Sequence, residues 1–426
     1  MASGKESASS AFEQNILIVG GGPIGLTMAL TLAHYSIPVH LIDKGTFPSG
    51  KAERQDIRGF ALARSSIHLY EHLDIWNSIR DYACPIQEIS IENGVGGRQL
   101  IFTDGMPSSM SVGIDDAVLT QDSLPPMGYI IEAFHLHKAL YDAAKAHPLI
   151  RLQEETSVKT TQFDQGALQQ VTLSDGSALS CSLIIAAEGK ASSMRQEAGI
   201  EHSCIPYDQE ALVCTVSHKN SHEFVAYEKF YPNGPFAALP MRHNRSSIVW
   251  SAPPTFIRTL QGLSEKEFLT YLRARLGDQY KGLALCSPRL AFPLSLQLAK
   301  TYNKNRVVLV GDAAHVIHPL AGQGLNLGLR DVAILGEVIK ESLHLGLDIG
   351  SHTVLKKYTQ WRRFDHFSLI AVTHGLNKIF STSSSVMQGV RNLGLGIMDK
   401  VGPLKKLSTQ HAMGLLGTLP ATLRSN

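Results

Sequence analysis

The stretch from Asn15 to Asp43 constrains the fold more than any other part of the chain. Asn15-Ile-Leu-Ile-Val19 is a short apolar run of the kind buried in a parallel strand, and Gly20-Gly21-Gly22-Pro23-Ile24-Gly25 follows it directly. Leu26 to Tyr35 is an apolar helical stretch, Val39-His-Leu-Ile42 reads as a second strand, and Asp43 ends it. An acid about twenty residues beyond a glycine turn is the spacing of a dinucleotide-binding βαβ unit. The turn amides and the helix N-terminus then face a pyrophosphate, and Asp43 accepts from ribose hydroxyls. A glycine triplet alone would serve equally as a bare tight turn; the complete series favours a ligand on Gly20, Gly22, Gly25 and Asp43.

A second glycine-rich element lies far downstream. Arg306-Val-Val-Leu-Val-Gly311 reads as another buried strand, Asp312 stands at its carboxyl edge, and Gly322-Gln-Gly324 lets backbone N–H groups approach a flat or anionic ligand. A nicotinamide dinucleotide rarely needs such a distant second contact. FAD does, with its AMP half on the first motif and its flavin half elsewhere on the sheet.

With these motifs in place the chain resembles the FAD-dependent aromatic hydroxylases, and within them the hydroxylases of ubiquinone biosynthesis. The resemblance runs from Ile16 to Gly414. It is carried by Gly311 to Asp331, Pro126-Met-Gly-Tyr-Ile-Ile-Glu132, Tyr358-Thr-Gln-Trp-Arg-Arg-Phe-Asp365 and Leu404-Lys-Lys-Leu-Ser-Thr-Gln-His-Ala-Met-Gly414. It implies an α/β fold: a Rossmann-like FAD-binding domain of the p-hydroxybenzoate hydroxylase type, interleaved with an antiparallel β-sheet substrate domain and followed by a C-terminal helical segment. It implies hydroxylation of a polyprenylated phenol through a flavin C4a-hydroperoxide, with O2 as co-substrate and NAD(P)H or an electron-transfer protein as reductant. A flavin hydroxylase or epoxidase for another apolar substrate, and a flavin-bearing assembly protein of the quinone-biosynthesis complex, are the alternatives.

The same resemblance places the flavin ring against Pro319, Gly322, Gly324, Leu325 and Asn326, and the ribityl chain against Asp312. Arg58 resembles the arginine at the boundary of flavin and substrate; a surface salt bridge is its plainer reading. His135 either reaches the cofactor or faces solvent, and His315 and His318 flank the flavin loop either as chemical groups or as partners of backbone atoms. The family's usual Asp-Gly is here Glu188-Gly189, a charge moved by one methylene where the resemblance implies pyrophosphate closure and reductant binding. Met110, Met127, Tyr129, Phe236 and Leu239 suggest an apolar substrate cavity. The sequence offers no Ser/His/Asp elbow, metal cluster or hydrolytic carboxylate pair, so the reaction is assigned to the cofactor and no side chain is named as catalytic.

A chain of 426 residues, 44% of them hydrophobic, exceeds one typical domain. Residues 12–75, 130–200 and 288–345 are assigned to FAD binding, 76–129 and 201–287 to a substrate domain, and 346–426 to a helical region. The runs Ile86-Gln-Glu-Ile-Ser-Ile91, Ala211-Leu-Val-Cys-Thr-Val216 and Ser247-Ile-Val-Trp250 predict one antiparallel sheet built by both insertions.

Five cysteines without a C-x-x-C pair read as a reduced, cytoplasmic protein without a metal site, and no apolar window reaches membrane-spanning length. Residues 346–426 hold ten Lys/Arg against three Asp, a net +7, which leaves −5 elsewhere from a whole-chain +2. Basic residues alternating with Leu and Met fit the inner face of a membrane, other quinone-biosynthesis proteins, or packing on the chain's own core. Nothing beside that charge points to nucleic acid.

Overall fold

The computed structural model describes residues 16–47, 58–93, 99–103, 125–163, 166–277, 279–319, 322–363, 413 and 420–424. A six-stranded sheet forms the base, in the order Asn303–Lys304, Val307–Leu309, Leu183–Ala186, Ile16–Val19, Val39–Ile42, Ile150–Gln153. All neighbours run parallel except the short first pair. Ile16–Val19 is central, with Ile16 registered against both Leu183 and Val39. Both its faces are covered, so all four residues are apolar and buried.

The helix Pro23–His34 leaves the glycine turn with Pro23 in its first turn, where a missing N–H costs nothing. It is buried continuously from Gly25 to Ala33, because the helices Ala133–Ala146 and Gln323–His344 pack on it. Ala133–Ala146 buries Ala133, Leu136, Leu140 and Ala144, a single stripe at helical spacing. The strands Val158–Gln162, Gln169–Leu173 and Ala178–Cys181 make a separate antiparallel sheet that the sequence reading did not anticipate.

Above the base, Gly59–Ala63, Gly128–Glu132 and Cys84–Ile86 form a small antiparallel sheet. Over it lies a nine-stranded sheet, ordered His315–Val316, Leu290–Ala299, His202–Ser217, Arg245–Ala252, Gly234–Met241, Val225–Tyr231, Glu88–Asn93, Gln99–Thr103, with Ala284–Leu285 also on His202–Ser217. Both insertions do contribute to this one sheet. Their junction, however, is parallel, Val225 facing Glu88 through Phe230 facing Asn93, and not antiparallel as expected. The chain leaves Ile86 without reversing direction, and Gln87 N donates to Phe224 O as it enters the second ladder.

One face of the large sheet is closed by helices Pro254–Gly262 and Glu265–Leu276, which bury Ile257, Leu260, Phe268 and Leu272 against Leu212, Phe236, Ile248 and Trp250. The other face meets the small sheet: Ala226 and Met241 pack with Ile86, Ile130 and Ala61. Beyond Gly346 the described chain is helical over 352–363 and makes one 3-10 turn at Ala421–Leu423. The rest of the expected helical region, Lys405 and Lys406 included, lies outside the described residues, as does Met110. Among the described residues no helix is long and apolar enough to cross a membrane.

Candidate active site

Three strand ends of the parallel sheet come together. At the first, Gly20 has φ +110°, and a Cβ there would lie 2.5 Å from Ala187 O; one on Gly25 would lie 1.8 Å from Gly20 O. These two glycines serve the close approach of chain to chain. Gly22 differs, with nothing within 4 Å of an added Cβ. Asp43 Oδ2 accepts from Gly21 N at 2.5 Å and Oδ1 from Gly45 N at 2.7 Å, so the acid is locked against the turn.

His137, which sequence reasoning passed over, donates from Nε2 to Gly21 O at 2.8 Å. His135 on the same helix instead stacks on Tyr82, with ring centroids 4.1 Å apart. The signal was available: 137 follows 133 by four, on the stripe facing the glycine turn's helix, whereas 135 is turned away from it.

The second strand end carries Glu188 and Gly189. Gly189 has φ +81° and open space at its Cβ position. Glu188 caps the helix Ser193–Glu197: Oε1 accepts from Ser193 Oγ at 2.6 Å, and Oε2 from Ser192 Oγ at 2.6 Å and Met194 N at 3.0 Å. Buried Arg195 donates to Lys190 O and Ala313 O, each at 2.9 Å, tying this loop to the third strand end.

There Gly311–Ala313 makes a 3-10 turn. Asp312 touches solvent, yet burial by the surrounding protein raises its carboxyl above the ordinary range, against the pull of His315, Arg58 and Lys190. Accessible but crowded is how a group on the floor of a cleft behaves. Arg58 lies over the Phe60 ring at 5.4 Å. His315 Nε2 donates to Asp331 Oδ2 at 2.6 Å, and both are buried. His318 is also buried, which pushes its pKa down to about 4; it donates to Gln209 Oε1 at 3.3 Å.

Gly322, in the left-handed region at φ +62°, opens the long helix Gln323–His344. Asn326 is a clamp. Its Nδ2 donates to Ala61 O, and its Oδ1 accepts from Ala63 N and Ser66 Oγ, all at 2.8 Å. That holds the loop against the small sheet, where a Cβ on Gly322 would already be 2.8 Å from Ala61 Cβ. Gly324 again has open space, while Pro319 and Leu325 are half-buried.

The proposed cavity residues separate. Leu239 packs with Ala226 and Met241 on the face toward the small sheet, and Met127 joins Leu100, Phe102 and Phe230. Phe236 is three residues before Leu239, an odd step that puts it on the opposite face, edge-on to Trp250 at 5.3 Å. It belongs to the core under the helices and not to a cavity shared with Leu239. Tyr129 meets Trp76 edge-on at 4.8 Å.

Two helix N-termini, an acid at a strand end and open glycines at 22, 189 and 324 suit FAD: amides for the pyrophosphate, carboxylates for sugar hydroxyls, bare backbone for a flat ring. The comparisons agree. The family described as FAD binding domain matches residues 13–364. Ubiquinone hydroxylase UbiL of Rhodospirillum rubrum is 35% identical, over 97% of this chain and 93% of that protein. The 3-demethoxyubiquinol 3-hydroxylase of Escherichia coli K12 is 32% identical, over 94% and 98%. The crystal structure of p-nitrophenol 4-monooxygenase PnpA from Pseudomonas putida DLL-E4 shares the fold, with TM-score 0.73 at 19% identity, over 95% of this chain and 99% of that one. The chain belongs to the FAD-dependent aromatic hydroxylases of the ubiquinone-biosynthesis monooxygenase family.

Proposed function

We propose that this monooxygenase hydroxylates the ring of a polyprenylated phenol on the route to ubiquinone. The observation that carries the reading is the apolar sheet face with Leu239, Ala226 and Met241, set beside the glycine loop that Asn326 fixes, in a chain whose relatives are named ubiquinone hydroxylases.

FAD, when bound, supplies the oxygen-activating redox chemistry, with electrons from NAD(P)H or an electron-transfer protein. The chain's own residues bind and shape. In this reading Gly22 with the N-terminus of Pro23–His34 holds the pyrophosphate, on a turn whose tight packing requires Gly20 and Gly25, while Asp43 holds a ribose and Asp312 the ribityl chain. Pro319, Gly322, Gly324 and Leu325 present backbone to the flavin ring, with Asn326 as their brace. Arg58 offers a cation at the cleft edge, and Gly189 gives the pyrophosphate room while Glu188 holds that loop. His135 then belongs to the surface beside Tyr82, and His137 steadies the turn. Residues 12–75, 130–200 and 288–345 carry the cofactor in this reading, and 76–129 with 201–287 the substrate, except that Leu290–Ala299, expected with the cofactor, is a strand of the large sheet paired along His202–Ser217. The apolar face excludes water and aligns the ring.

Cells lacking the protein are expected to accumulate an under-hydroxylated polyprenyl phenol and lose ubiquinone. Lipid extraction with mass spectrometry tests this, and the fragmentation pattern names the ring carbon. Normal quinone content in a strain without an overlapping hydroxylase would overturn it.

A further inference from the structure

The face of the large sheet that meets the small sheet carries a carboxylate among apolar neighbours. Val225–Tyr231 alternates: Tyr227 packs on the side of the covering helices, whereas Ala226, Glu228 and Phe230 point the other way. Glu228 is 8% exposed. Its ladder partners are Ala237 on one side and Ile91 on the other. Along its own strand it lies between Ala226, which packs with Leu239, Met241 and Ala61, and Phe230, which packs with Leu100, Phe102 and Met127. Ala61 is also the residue against Gly322 of the glycine loop. Glu228 thus lies on the sheet face that meets the small sheet, between two apolar clusters, one of which reaches Ala61 beside Gly322.

Burying a carboxylate there carries a large desolvation cost, and a departure of this kind from the local pattern is expected at functional positions. Glu228 interacts with a neighbouring group in the protein as it stands, so a ligand hydroxyl would join or replace that contact. A phenol with a long apolar chain presents one strong donor, its O–H, and entering an apolar site would strand that donor unless an acceptor met it.

We propose that Glu228 is the group that receives the substrate's phenolic hydroxyl. Its carboxylate accepts the O–H and takes the proton: the O–H bond breaks, the proton passes to a carboxylate oxygen, and the ring oxygen keeps the electron pair. The added electron density on the ring carbons ortho and para to it favours attack by an electrophilic oxygen. When product leaves, the carboxylic acid returns its proton to water. This rests on the phenol-hydroxylase reading above and adds the residue that selects and activates the phenol.

The test compares a geranylated phenol with its methyl ether, which keeps the shape and loses the donor. Binding to the FAD-loaded protein is followed by tryptophan fluorescence. Wild type should bind the phenol about ten- to a hundredfold more tightly than the ether. Glu228→Ala should bind both alike. Glu228→Gln, which keeps the shape and an acceptor, should retain part of the preference while hydroxylating at a strongly reduced rate, with excess reductant consumption. A purely structural role for Glu228 predicts equal losses for both ligands. A wild-type preference ratio in both variants, with FAD retained, would overturn the assignment. Wild type binding neither ligand would overturn the phenol reading along with it.

Discussion

Arg362 donates from Nε to Asp331 Oδ1 at 2.6 Å, with both side chains wholly withdrawn from solvent. The other carboxylate oxygen accepts from His315 and from Gly311 N, the latter at 2.8 Å. Asp331 therefore joins the helix over 352–363 to the turn that carries Asp312. Truncating Arg362 to Ala leaves that carboxylate buried without its cation, which costs about 3–5 kcal/mol. Urea unfolding of the FAD-free protein should show a loss of that size. Arg362→Lys should recover little of it, since a lysine cannot also reach Leu327 O as Arg362 does at 3.2 Å.

The glycine turn divides its residues between fold and ligand. Gly25→Ala pushes a methyl into Gly20 O and should destabilise the protein with or without FAD. Gly22→Val, directed into open space, should leave the unfolding midpoint of the apo-protein near wild type and abolish FAD retention. Thermal unfolding of the apo-proteins beside flavin titrations separates the two. FAD binding like wild type in Gly22→Val would remove that glycine from the cofactor site. Asp312→Ala should weaken FAD about ten- to a hundredfold through loss of one charged hydrogen bond.

Burial lowers the pKa of His40 and of His318, each to about 4, and also lowers His218 and His222. An unfolded histidine takes its proton near pH 6.5. Between there and about pH 4 the unfolded chain binds protons that the folded chain refuses. Stability is therefore fully present above that window and falls as the pH drops through it. At about pH 5 the loss is on the order of 2 kcal/mol for each of His40 and His318. Denaturant midpoints at about pH 7.5 and pH 5 should show it, and His40→Gln should shrink the difference.

The basic C-terminal residues give a fourth prediction, motivated by a substrate too apolar to cross water freely. Neutralising Lys405, Lys406 and Arg424 together should weaken attachment to anionic vesicles by at most about 3 kcal/mol, and by less to the extent that Arg424 stays engaged with its neighbours in the protein. Flavin absorbance should not change. Flotation with and without anionic lipid measures it, and equal recovery of wild type and variant would assign those charges to solvent or core packing.

Local patterns were readable from the chain; partnerships across it were not. Ile16–Val19, the glycine turn and Asp43 follow one another directly, and the structure reproduces them as strand, turn and acid. Val158–Gln162 was missed because an outer strand whose middle residues Lys159 and Thr160 are exposed has no apolar period to detect. Phe236 was misplaced by an error of parity, since period two turns every odd step to the far face. The resemblance implies that Glu188 and Asn326 are cofactor neighbours, but what their side chains bond was not visible in the sequence. Asn326 grips Ala63, 263 positions earlier, and no local spacing encodes that.

The parallel junction of Glu88–Asn93 with Val225–Tyr231, and the late arrival of Val307–Leu309 beside Leu183–Ala186, bear on how the protein is made. A ribosome adding ~5–20 residues per second needs roughly 15–60 s to reach Leu309. Leu183–Ala186 is complete after roughly 9–37 s at that rate, and from then until Leu309 is made it and Ile16–Val19 are present without a completed sheet. Such strands pair readily with other nascent chains. Soluble yield should therefore respond to slower synthesis, lower temperature and holding chaperones far more than to substitutions that stabilise the finished protein.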